Sequence, residues 1–158
     1  MLACALALVG TGARSARAQL AVTEGTVGAT AVAARRGFVG AELGVARRPR
    51  GAAGQGRVAL TLAGGAYGGS STPGVRIAAS AQFLLKPGER TGATWYGGFG
   101  IAFAGAASER GEGYLTALVG RESAPGGAAG WYAELGLAGG VRLSAGRRWR
   151  RLRSEPER

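Results

Sequence analysis

Large apolar residues and small residues alternate along most of the chain, with a period of two. From Trp95 to Ala104, Trp95, Gly97, Phe99, Ile101 and Phe103 fall on one face, and Tyr96, Gly98, Gly100, Ala102 and Ala104 fall on the other. Val75, Ile77, Ala79, Ala81, Phe83 and Leu85 oppose Arg76, Ala78, Ser80, Gln82, Leu84 and Lys86 in the same way. Shorter runs repeat the pattern at Val39–Val45, Val58–Leu62 and Leu115–Val119, and a long one spans Trp131–Ala145. Period two is the signature of a β-strand with two unlike faces. No stretch after residue 25 carries a helical stripe, and glycine recurs too often for helix interiors, where each costs about 1 kcal/mol relative to alanine.

Segments rich in Gly, Pro and Ser separate these runs: 48–56, 68–74, 87–92, 105–111 and 122–130. Such clusters end strands, so the chain reads as one meander of up-and-down strands. A weaker strand is expected at Gly25–Ala34, turning at Arg35-Arg36-Gly37. If the last run folds back at Ala138-Gly139-Gly140, the total is eight strands. The alternation does not distinguish that hairpin from one long strand, because Leu137 and Val141 keep the same face either way.

Composition narrows the chemistry. The 158 residues include 31 Gly and 33 Ala, but no His, Asp or Asn; the only Cys is Cys4 and the only Lys is Lys86. Ser-His-Asp and Cys-His catalysis need an imidazole that is absent. Zinc sites rest on His or Cys and calcium loops on Asp and Asn, so no metal, cofactor or catalytic residue is expected, and the chain is read as not an enzyme. Glu42 and Glu134 could form an acid-base pair, but the reading preferred here is that they neutralise Arg76 and Arg142. The Gly97-Gly98-Phe99-Gly100 run lacks the helix and lysine of a phosphate cradle. Net charge is +11, but the arginines are spread along the chain and concentrate only at its end, so no nucleic-acid partner is expected.

Leu2–Val9 is a short apolar stretch, and Ala16-Arg17-Ala18-Gln19 fits cleavage after Ala18. Residues 1–18 are therefore expected to be a secretory signal peptide, 19–149 a β-barrel and 150–158 a basic disordered tail. Two features point to a membrane barrel. The face opposite the greasy one is Gly, Ala, Ser and Thr with occasional Glu42, Arg76, Gln82, Glu134 and Arg142, which suits a narrow polar lumen. Tyr67, Trp95, Tyr96, Phe103, Tyr114, Trp131, Tyr132 and Trp149 lie near strand ends, where interfacial aromatics gather.

The export signal, the Gly/Ala-rich strands, Trp95-Tyr96-Gly97-Gly98-Phe99-Gly100, Trp131-Tyr132-Ala133-Glu134-Leu135-Gly136 and the late Trp149 resemble the small outer-membrane β-barrel proteins of Gram-negative bacteria. That resemblance implies an all-β fold, a single antiparallel up-and-down barrel of about eight strands in the outer membrane. It implies a structural or surface-interaction role, the lipid bilayer as partner, and anionic headgroups or lipopolysaccharide as candidate contacts. The chain departs from the family in one respect, since Arg150–Arg158 follows the terminal aromatic. The alternative is a secreted soluble β-barrel or sandwich that binds a small apolar ligand.

Overall fold

The structure, a computed structural model, describes residues 22–48, 56–68, 72–86, 91–107 and 109–151. The expected signal peptide, 1–18, and the end of the expected tail, 152–158, lie outside them. The strands are β1 (Val22–Ala33), β2 (Phe38–Arg48), β3 (Gly56–Tyr67), β4 (Thr72–Leu84), β5 (Ala93–Ala106), β6 (Glu109–Ser123), β7 (Ala129–Leu137) and β8 (Val141–Arg151). Each pairs antiparallel with its sequence neighbour, and β1 closes on β8 through pairs such as Gly25↔Trp149 and Thr23↔Arg151. The result is an eight-stranded up-and-down barrel, the count expected if the last run folds back. Closure leaves no free edge strand, and Glu109–Thr116 of β6, which outruns β7, pairs on one side alone, with β5.

The last apolar run does fold back. β7 and β8 pair in register from Leu137↔Val141 to Ala129↔Trp149, and Ala138 N donates to Gly140 O at 2.9 Å. Gly139 and Gly140 have φ of 73° and 156°, so this turn needs glycine.

The two faces of the wall are reversed relative to a water-soluble barrel. Among the described residues, twenty-three large apolar side chains point outward, between 40% and 84% exposed. Eleven apolar ones among the described residues are buried, six of them alanine, beside thirteen buried polar or charged ones. An eight-stranded barrel is just wide enough for side chains to fill. Bulk on the lumen side must therefore be met by small residues. Tyr96 lies opposite Gly120 in the β5–β6 register, and a Cβ at Gly120 would overlap the buried phenol ring. Gly120→Ala is expected to displace Tyr96 and cost about 1–3 kcal/mol, as overpacking in an interior does. A urea-unfolding midpoint unchanged from wild type would contradict this packing.

Several boundaries differ from expectation: β1 begins at Val22, and 72–74, 105–106, 109–111, 122–123 and 129–130 lie in strands although the sequence gives them to turns. Arg48 ends β2 and is not part of a loop, and β8 runs through Arg150 and Arg151, which the sequence assigns to a disordered tail. The physical reason is that Arg48 and Arg150 turn inward, where carboxylates from other strands hold them. Of the alternative, a soluble β-barrel or sandwich, the sandwich fails on the fold, because the sheet is a single closed barrel. Nor does the interior offer an apolar calyx among the described residues.

Candidate functional site

The lumen carries its charges in three levels. The level nearest the chain termini gathers Glu24 from β1, Arg48 from β2, Arg57 from β3, Glu122 from β6, and Arg148 and Arg150 from β8. Glu24 and Glu122 are completely buried. Arg57 bridges them, at 3.2 Å from Glu24 and 2.7 Å from Glu122. Arg48 reaches the same two carboxylates at 2.9 and 3.3 Å. Arg148 is bound to Glu122 and lies 3.7 Å from Glu24, while Arg150 lies 3.5 and 3.6 Å from the two acids. Four guanidiniums thus share two carboxylates, and Arg57 Nη2 and Arg150 Nη2 find no hydrogen-bond acceptor among the described residues. Arg57 also donates to Gln82 at 2.7 Å, and Gln82 to Ser80 at 3.1 Å.

The middle level is built on Glu42 and Glu134. Arg142 spans them, at 2.5 Å from Glu42 and 2.9 Å from Glu134. Tyr96 donates to Glu134 at 2.8 Å, and Tyr132 to Glu42 at 3.5 Å. With one guanidinium holding both carboxylates, an acid-base pair has no free member. The guanidiniums of Arg57 and Arg148 lie 4.3 and 5.5 Å from the centre of the Tyr96 ring, which links this level to the first. A cavity of only about 30 Å³ remains here, lined by Thr30, Thr61, Ser80, Gln82 and the charged groups of this level. That is room for roughly one water.

The third level lies at the other end, where β1 turns into β2 and β7 into β8. It opens into a vestibule of about 560 Å³ lined by Arg35, Arg36, Tyr67, Arg76, Arg110, Glu112 and Tyr114, among others. Arg76 forms its floor and is also in the wall of the cavity below. Its Nη2 donates to the Ala138 carbonyl at 2.5 Å, with the rings of Phe38 and Tyr114 at 5.8 and 5.9 Å. The expected neutralisation by Glu42 or Glu134 does not occur for Arg76, because its guanidinium turns toward the vestibule and the Ala138 carbonyl.

Glu42, Arg76, Gln82, Glu134 and Arg142 all sit in the lumen, as their side of the alternation requires. Of the expected interfacial aromatics, Trp95, Phe103, Trp131 and Trp149 face outward. Tyr96 and Tyr132 are instead buried in the lumen, and Tyr67 and Tyr114 line the vestibule. Nearness to a strand end does not decide the side a ring takes; parity does, and each tyrosine has the inward parity. Glu24, Arg57, Glu122, Arg148 and Arg150 escape the sequence reading because they lie at strand ends, where charge looks like loop. Their signal is that each continues the small or polar phase of its strand beyond the run read from the sequence.

No protein-family model matches the sequence, and no curated protein sequence matches it. Among solved structures, the barrel is similar to the crystal structure of Neisserial surface protein A, with a TM-score of 0.56 and 15% identity, over 82% of this chain and 96% of that one. It is also similar to the N-terminal β-barrel domain of Pseudomonas aeruginosa OprF, with a TM-score of 0.53 and 16% identity, over 84% and 98% of the two chains. The chain has the fold of these barrels. At such identities the likeness is one of architecture, and it covers nearly the whole of both relatives.

Proposed function

We propose that this protein is a barrel of the Gram-negative outer membrane, exported to it, with a non-enzymatic structural or surface-interaction role. The observation that carries the reading is the outward face, which puts Leu, Val, Ile or Phe on each of the eight strands while charged and polar side chains fill the inside. Only a lipid surround makes burial of that face favourable, and only a closed barrel can sit there with its backbone satisfied. The filled lumen, with its cavity of about 30 Å³, leaves no path for solutes.

The exterior also has a polarity. At the end carrying the termini, Trp95, Trp131 and Trp149 alternate with the outward Arg47, Arg121, Arg147 and Arg151. The Arg121 guanidinium lies 5.6 Å from the Trp95 ring. No carboxylate shares that rim among the described residues. Trp at headgroup level with unpaired Arg suits anionic headgroups, each cation contributing about 1 kcal/mol near such a surface. This rim is the contact with anionic lipid in the reading offered here.

Fractionation of cells expressing the full chain tests the proposal, with the mobility of the detergent-extracted protein compared before and after boiling. Recovery from the outer-membrane fraction and a band that shifts on boiling are expected. A soluble, unshifted protein in the periplasm or medium would overturn it.

A further inference from the structure

Among the buried guanidiniums of the lumen, Arg76 stands apart. Arg48, Arg57, Arg142, Arg148 and Arg150 each have a carboxylate within ion-pair distance. Arg76 is only 9% exposed, yet its one hydrogen bond goes to a backbone carbonyl, and no carboxylate among the described residues pairs with it. A buried cation without a counter-charge is costly, and the cost falls when an anion reaches it. The guanidinium faces the vestibule, whose other charged groups include the exposed Arg35 and Arg110. Glu112, the carboxylate of that lining, is exposed, accepts from the Tyr114 hydroxyl and keeps its charge, but the arginines of the lining outnumber it.

We propose that this vestibule is a binding site for a phosphoryl group, with Arg76 at its floor and Arg35 and Arg110 at its rim. Guanidinium is the side chain that matches phosphate oxygens with two parallel hydrogen bonds, and a dianion suits several converging cations better than a single carboxylate does. The volume of about 560 Å³ admits a diphosphate or a phosphorylated sugar. The narrow cavity beyond Arg76 stops it there, so the site holds its ligand and does not conduct it. The phosphoryl group can belong to a soluble compound or to a lipid headgroup entering from the membrane surface. The proposal does not depend on which membrane surrounds the barrel, so it can fail while the outer-membrane reading stands.

Calorimetric titration of inorganic pyrophosphate into the full chain, folded in non-ionic detergent, tests the site. Low salt is needed, since about 0.1 M already screens exposed charges beyond roughly 10 Å. Saturable binding to one site is expected, weakened roughly tenfold or more in Arg76→Gln, as loss of a charge-assisted hydrogen bond implies. Lys86→Gln, an exposed change of equal charge at the opposite end of the barrel, should bind as wild type does. The double variant Arg35→Gln/Arg110→Gln alters only exposed positions, so it should fold and yet bind more weakly. Competition by micelles containing phosphatidic acid would assign the site to a headgroup, and failure to compete would assign it to soluble phosphates. No saturable binding, or equal affinity in Arg76→Gln with its boiling shift intact, would overturn the proposal.

Discussion

Glu122→Gln is expected to lower the stability of the barrel by about 3–5 kcal/mol, the range for removing one partner of a buried ion pair. Glu122 is completely buried and lies within 3.5 Å of Arg48, Arg57, Arg148 and Arg150. Its neutralisation leaves four guanidiniums around Glu24 alone. The cluster already has two more positive than negative charges, so the direction of a change matters. Arg150→Met brings the balance closer to neutral and should cost less than Glu122→Gln, although both remove charged contacts. Urea unfolding in detergent micelles, read by loss of the folded form on unheated gels, measures both. Equal losses for the two variants would mean that the net charge of the cluster is not what limits stability.

The second large effect concerns the outer surface. Phe99 is 63% exposed and lies midway along β5, stacked on Phe83 with ring centres 6.2 Å apart. In a bilayer, arginine at mid-depth on the lipid face costs about 2–4 kcal/mol, falling to about 0–1 near the interface. Phe99→Arg is therefore expected to be that much less stable than Phe99→Ala, which removes the same stacking without adding charge. Ala129→Arg, on the outward face at the rim near Trp149, should cost under about 1 kcal/mol. Equilibrium folding into phosphatidylcholine bilayers at graded urea gives all three values. In water an exposed position of this kind tolerates the same change to within about 0.5 kcal/mol. A flat response across depth would show that lipid does not contact β5.

Several parts of the architecture are legible in the residues themselves. The period-two alternation places Val75–Leu85 and Trp95–Phe103 as strands and assigns Glu42, Arg76, Gln82, Glu134 and Arg142 to the polar face, because a strand turns its side chains strictly in and out. Glycine and proline clusters mark the turns. Strand ends are less legible. Glu24, Arg57, Glu122 and Arg150 are charged residues beside turn-like segments, and local sequence gives such residues to loops. Only the closure of β1 on β8 brings Glu24 beside Arg148 and Arg150, across more than a hundred residues.

The aromatics divide in the same way. Trp95 and Tyr96 look alike as a pair near a strand end, but one faces lipid and the other ends in a hydrogen bond to Glu134, 38 residues away. Which carboxylate meets which guanidinium also lies beyond the linear pattern, since the lumen pairs side chains from strands that are not neighbours in the sheet as well as from those that are. Arg142 on β8 reaches Glu42 on β2 past the intervening β1, and Arg76 is left facing the vestibule. The sequence alone thus determined an all-β chain, the two faces of its strands and the inward side for its charges, because these follow from local alternation. The tertiary structure decided the ion pairing, the fate of each tyrosine and the unpaired cation at the mouth, because these depend on distances across the lumen that exist only once the barrel has closed.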